Sequence, residues 1–205
     1  WLSGCPKCLP WPLCPPECRQ KRTPELCVPD EQKDVMRSTP WGEMRYIDYK
    51  HRLEFGEEEF DMIAHHCDRV GINWFASVGE REAVEFMRNY SSMMKIPSAL
   101  IDDLTLVREA RHSCKTLMIS TGMSTEEEID AAMEYRPDVV FHTCSGYPAP
   151  IEELQMDRIS WMQEKYPDTE IGYSGHEFGL VPTYIAAALG CSWIERHVTL
   201  DRTMY

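Results

Sequence analysis

Two histidines, a lysine and a group of serines stand where short apolar runs of this chain stop, and these residue types can hold a metal and an anion. His176 and His197 lie at or just past the carboxyl ends of two such runs that are consecutive in sequence. If the runs are neighbouring strands, two imidazoles can share one divalent metal, with carboxylate or water completing the shell. The alternative is that each is a hydrogen-bonded histidine in a polar rim. His142, one run earlier, has the weaker claim and reads as structural. Lys95 closes a run of otherwise apolar residues, Met93, Met94 and Ile96, and points either to solvent or into a strand-end mouth. Ser77, Ser98, Ser120 and Ser174 add hydroxyls at the same level. Ser120 leads into Thr121-Gly122, and hydroxyls with free amides ahead of a helix form a cradle for phosphate or carboxylate.

The elements that must position these groups alternate. Strands are expected at Ile72–Ser77, Met93–Ile96, Thr116–Ser120, Asp138–Thr143, Glu170–Ser174 and Ser192–Val198. Amphipathic helical stretches separate them at Glu80–Tyr90, Asp102–His112, Ser124–Tyr135, Glu152–Tyr166 and Leu180–Leu189. Such alternation means parallel strands joined by helical crossovers, with the chemistry at the carboxyl ends of the strands. Val139, Val140 and Phe141 form the unbroken apolar run of a strand covered on both faces. A further helix is expected over Glu57–Val70, with Phe60, Ile63, Ala64 and Cys67 on one face and Gly71 ending it. Ser124 and Glu127 have capping-box spacing, and Glu57-Glu58-Glu59 reads as a solvated first turn favoured by the helix dipole. Asn73 and Trp74 read as structural. An open doubly wound sheet and part of an eight-stranded barrel both fit.

Composition narrows the function. A chain of 205 residues, 43% hydrophobic and 27% charged, suits one soluble domain. The net charge of −13 opposes sequence-independent nucleic-acid binding, which needs basic surface. No apolar run is long enough to span a membrane and none resembles a signal peptide, so the expected compartment is the cytoplasm. GxGxxG, P-loop and nucleophile-elbow patterns are all missing. Cys67, Cys114, Cys144 and Cys191 read as small packing residues.

Residues 1–19 differ from the rest, carrying Pro6, Pro10, Pro12, Pro15 and Pro16 with Cys5, Cys8, Cys14 and Cys18. Proline at that density blocks helix and sheet. Either the four thiolates bind zinc, at cramped spacing, or the segment is a disordered or aberrant leader; the second is the expectation. Residues 20–56 read as a polar, irregular excursion.

Four motifs together carry a resemblance: Ile119-Ser120-Thr121-Gly122-Met123, Cys144-Ser145-Gly146-Tyr147-Pro148, Gly172-Tyr173-Ser174-Gly175-His176-Glu177, and Ile194-Glu195-Arg196-His197-Val198-Thr199-Leu200-Asp201. The chain from about Gln20 to Tyr205 resembles the sialic acid synthase family. The resemblance implies a (β/α)8 TIM barrel that condenses phosphoenolpyruvate with an N-acetylmannosamine-type sugar. It implies a divalent metal, Mn2+ or Mg2+, on His176 and His197, acting as a Lewis acid on the sugar aldehyde. It also implies that Lys95, Ser98, Ser120 and Ser174 hold phosphoenolpyruvate with Ser77 nearby, that Gln20 and Tyr147 face the sugar, and that the parent is a homodimer.

The chain departs from that pattern in places. The family's first strand is absent, and a Lys-Phe-Gln-like strand end here reads Cys18-Arg19-Gln20, with Cys18 in place of the phosphoenolpyruvate-binding lysine. Leu100 stands where some members carry glutamate, and Pro97 is unusual. The sequence stops at Tyr205, ahead of an aspartate-containing motif and of the small antifreeze-like carboxy-terminal domain. About six βα units are therefore expected, with the first two strands missing or degraded, and a barrel that lacks strands does not close. The expectation is an inactive fragment of a synthase; a metal- and phosphate-binding remnant without turnover and a cysteine-based zinc module are the alternatives.

Overall fold

Side-chain alternation along parallel strands decides which residues can meet in this molecule. The computed structural model describes residues 20, 21 and 23–198. The prolines and cysteines of residues 1–19, including Cys18, and the motif residues Thr199-Leu200-Asp201 lie outside the described residues. In chain order the elements are β1 (Gln20–Lys21), α1 (Pro24–Cys27), α2 (Asp30–Lys33), β2 (Met36–Thr39), β3 (Gly42–Arg45), α3 (Tyr46–Leu53), α4 (Glu57–Val70), β4 (Ala76–Val78) and α5 (Arg81–Met87). There follow β5 (Met93–Ile96), α6 (Leu104–Ser113), β6 (Thr116–Ser120), α7 (Glu126–Met133), β7 (Val139–Thr143), α8 (Asp157–Lys165), β8 (Glu170–Gly175), α9 (Val181–Ala188) and β9 (Trp193–Arg196). The described residues form two compact units, the first up to Ser91 with Val198 and the second over Ser92–His197.

In the first unit β1 pairs parallel with β4, setting Gln20 opposite Ser77 and Lys21 opposite Val78. Helix α4 has its apolar stripe where the spacing predicts it, with Phe60 and Cys67 buried. Gly71 ends the helix with φ 70°, a left-handed conformation that costs glycine nothing. Phe60 centres an aromatic cluster with Phe55, Trp74, Phe86 and Tyr90, which makes Trp74 a packing residue as expected. Lys21 lies against that cluster, its Nζ 4.6 Å from the Phe86 ring centre and 3.1 Å from Glu54 Oε1.

Several expectations need correction here. Residues 20–56 are not irregular: β2 and β3 form an antiparallel hairpin about Pro40-Trp41, and α1, α2 and α3 flank it. The expected strand Ile72–Ser77 shrinks to β4, so Asn73 and Trp74 lie outside it. Glu59 is buried rather than solvated, because its carboxylate turns back to accept the Gly56 N–H at 2.7 Å.

In the second unit β5 to β9 pair in sequence order and all run parallel. The register gives one face Lys95, Met118, Ser120, Phe141, Thr143, Ser174 and Glu195. The opposite face carries Met94, Ile96, Leu117, Ile119, Val140 and Ile171, all buried. Buried stripes on the helices supply the apolar surface to cover it: Leu106, Val107 and Ala110 on α6, Ile129 and Ala132 on α7, Ile159 and Met162 on α8. The capping box of α7 falls one residue later than its spacing suggests. Thr125, not Ser124, accepts the Glu128 N–H, and Glu128 accepts the Thr125 N–H. Strand β9 ends at Arg196, short of the expected Val198.

This sheet curls. In a flat one, side chains on β5 and β9 would stand about 19 Å apart, four inter-strand steps. Instead Lys95 Nζ lies 2.5 Å from Glu195 Oε1. The polar face is therefore concave, as in part of a barrel wall.

Candidate active site

Lys95 is 5% exposed and points into the concave face rather than to solvent, which settles the choice that spacing leaves open. Its ammonium lies 4.9 Å from the Phe141 ring centre and pairs with Glu195. Burial pushes the Lys95 pKa down from its ordinary value, and the Glu195 carboxylate only partly offsets that. Ser174 donates to the same Glu195 oxygen at 2.9 Å, and Thr143 donates to the Ser174 carbonyl at 2.7 Å. Two buried oxygens here, Ser120 Oγ and Glu195 Oε2, have no hydrogen-bond partner among the described residues. Buried polar atoms are rarely left so without a functional reason.

The turn after β6 builds a second part of the site. Thr121 is anchored through its N–H and its hydroxyl to the Phe141 carbonyl, and the Gly122 N–H donates to Ser98 Oγ at 3.0 Å. A side chain at position 122 would collide with Ser145 Oγ and come within 2.9 Å of Thr143 Cγ2 and 3.0 Å of Ser98 Oγ. Glycine is thus what lets three hydroxyl-bearing residues crowd one backbone turn.

His176 and His197 continue the concave-face parity just beyond β8 and β9. Their ring centres are 5.3 Å apart, and Tyr147 lies 5.5 Å from the first and 5.1 Å from the second. His176 Nδ1 is bonded to the Cys144 carbonyl at 3.0 Å, which makes Nδ1 the protonated nitrogen and leaves Nε2 its lone pair. Burial pushes the His176 pKa below the ordinary histidine value, favouring the neutral, ligating form. The described residues contain no group of three or more His, Cys, Asp and Glu arranged to hold a metal. A metal here would rest on two imidazoles, with oxygens of water or substrate supplying the remainder, and that donor set fits a divalent ion.

Lys95, Ser98, Ser120, Tyr147, Ser174, His176 and His197 thus all belong to the second unit. Ser77 and Gln20 lie opposite one another in the first unit, with Ser77 buried. His142 is turned to the apolar face, where its Nε2 donates to the Leu154 carbonyl at 2.7 Å, the structural role expected of it. Glu195 is the residue that reading by type overlooks. Its signal is parity, since it stands two positions before His197 and opposite Ser174 in the register.

A concave parallel sheet that gathers a buried lysine, hydroxyls and two imidazoles at its strand ends defines an α/β-barrel protein with a strand-end site. The chain belongs to the NeuB family, whose model matches residues 19–205. It is 31% identical over 169 residues to the N-acetylneuraminate-9-phosphate synthase of Homo sapiens, covering 80% of this chain and 47% of that protein. With the pseudaminic acid synthase of Campylobacter jejuni it shares 30% over 194 residues, 90% of this chain and 56% of the other. Among solved structures, the N-acetylneuraminic acid synthetase of Leptospira borgpetersenii superposes with a TM-score of 0.73 at 28% identity, covering 77% of this chain and 57% of that one. The chain spans about half the length of the curated relatives it matches. No helix among the described residues is long and apolar enough to cross a membrane.

Proposed function

We propose that this chain carries the phosphoenolpyruvate- and metal-binding part of a nonulosonic acid synthase, which joins phosphoenolpyruvate to an N-acetylmannosamine-type aldehyde. The observation that carries the reading is the Lys95–Glu195–Ser174 cluster, buried on the face that leads to His176 and His197. In the reaction, carbon 3 of phosphoenolpyruvate bonds to the aldehyde carbon, water adds at carbon 2, and phosphate leaves with its ester oxygen. The Lys95 ammonium and the hydroxyls of Ser98, Ser120 and Ser174 bind and orient the phosphate and carboxylate of phosphoenolpyruvate. Low dielectric around Lys95 strengthens that attraction. Glu195 Oε2, buried with no partner among the described residues, accepts the proton that the incoming water loses as it adds at carbon 2. A divalent ion on His176 and His197, manganese or magnesium, supplies Lewis acidity at the aldehyde oxygen when bound. Tyr147 faces the sugar in this scheme; the roles of Gln20 at the sugar and Ser77 at phosphoenolpyruvate rest on the resemblance alone. The proposed compartment is the cytoplasm, where phosphoenolpyruvate is made, and a homodimer is the proposed state that the resemblance implies.

Calorimetry with phosphoenolpyruvate and Mn2+, followed by assays of phosphate release and nonulosonic acid formation, tests the reading. The chain binds phosphoenolpyruvate, and Lys95→Ala lowers the affinity by at least about tenfold, the worth of a charge-assisted hydrogen bond. Binding without product identifies a non-catalytic remnant of the site. Failure to bind phosphoenolpyruvate at all overturns the assignment.

A further inference from the structure

Glu177 directly follows His176 and Arg196 directly precedes His197, and these two chain neighbours form an ion pair. The carboxylate is fully enclosed, while the Arg196 side chain keeps 20% of its surface exposed. Arg196 Nη1 donates to Glu177 Oε1, and Nη2 donates to the carbonyls of Glu177 and Gly179, at 2.8 Å each. The Tyr173 hydroxyl donates to Glu177 Oε2 at 2.8 Å. The Glu177 side chain has no exposed surface, and Tyr173 is fully buried. Gly175 packs its backbone straight onto the pair: a Cβ there would strike Arg196 Nη1 and lie 2.8 and 2.9 Å from the Glu177 oxygens.

Parity separates this network from the concave face. Arg196 ends β9 on the face opposite Glu195, Tyr173 lies on that same face of β8, and Glu177 meets both of them there. The two histidine-bearing segments are thus tied together by this ion pair, with the rings 5.3 Å apart. A carboxylate so buried is tolerated only while its partners are in place, which leaves the joint little freedom to loosen gradually. The planar guanidinium matters as well, because it spans a carboxylate and two carbonyls in a way an ammonium does not.

We propose that Arg196, Glu177 and Tyr173 are positioning residues that set the spacing of His176 and His197, and thereby the affinity and geometry with which the pair holds a divalent metal. The proposal rests on the reading of those histidines as metal-binding. Mn2+ and Co2+ alone, titrated into the chain, serve as probes. Wild-type chain takes up one ion and His176→Ala loses it. Glu177→Gln, Arg196→Lys and Tyr173→Phe each weaken Mn2+ binding by about tenfold or more, the usual cost of disturbing the support behind a ligand. They also shift the visible Co2+ absorption bands, which a role confined to stability leaves unchanged. Should Glu177→Gln fail to fold, Tyr173→Phe, which removes a single oxygen, carries the measurement. Wild-type affinity and unshifted bands in the folded variants overturn the positioning role and leave the metal reading intact. No metal uptake by wild type, or equal uptake by His176→Ala, overturns both.

Discussion

At the scale of the residue, Lys95 and Glu195 govern one another. Taking either partner from a buried pair leaves an uncompensated charge, which costs on the order of 3–5 kcal/mol. Lys95→Met therefore destabilises the chain by about that amount in urea unfolding, and adding Glu195→Gln recovers part of it. The folded pKa of Lys95 lies below its ordinary value of 10.5. Between those two values the unfolded chain holds a proton that the folded chain lacks, so stability rises with pH through that window, and Lys95→Met removes the rise. His142 gives a second case, its folded pKa lowered from 6.5 mainly by burial. As pH falls below about 6.5 the unfolded chain protonates first and stability declines until the folded value is passed. His142→Gln flattens that part of the pH dependence of the unfolding midpoint. Lys95, Ser120, Ser174, His176 and His197 stood out in the sequence because each lies at or near the carboxyl end of an expected strand. Glu195 was not, since a carboxylate beside an arginine reads as a surface pair until the register turns it inward.

At the scale of the element, legibility followed burial. The second unit's strands and helices stand near where periodicity put them, because largely buried strands read as apolar runs, though α8 opens at Asp157 rather than Glu152 and β9 is shorter than expected. The β2–β3 hairpin escaped for the opposite reason: its residues are mostly exposed, so neither strand alternates in hydrophobicity. The α7 cap was misplaced by one residue because Ser124-Thr125 offers two hydroxyls, each with a glutamate three positions on. Thr125→Ala should cost about 1 kcal/mol in urea unfolding, and Ser124→Ala much less. Gly172 lies under the Phe141 ring, and a Cβ there would sit 2.7 Å from that ring and 2.9 Å from Trp193 Cβ. Gly172→Ala is accordingly expected to destabilise the sheet by about 1–3 kcal/mol through overpacking, seen as a lowered melting temperature.

At the scale of the molecule, the barrel-like α/β class was readable from the alternation of elements, whereas the inward curl was not, because curvature leaves no period in the sequence. Surface chemistry differs sharply from the concave site. On α9, Val181, Tyr184 and Ile185 are exposed, and their spacing puts them on one side of the helix, with exposed Phe178 and Leu180 just before it. Replacing Val181 and Tyr184 with glutamate should raise the protein concentration at which the chain begins to associate in sedimentation velocity. A last consequence concerns the order of events as the chain folds. The contact between Lys95 and Glu195 closes a loop of 100 residues. Loops of that length close late and slowly, since their entropy is lost before any contact repays it. A ribosome that has delivered Lys95 must therefore still add four more strands before the ammonium meets its counter-ion, and the nascent lysine waits in water until then.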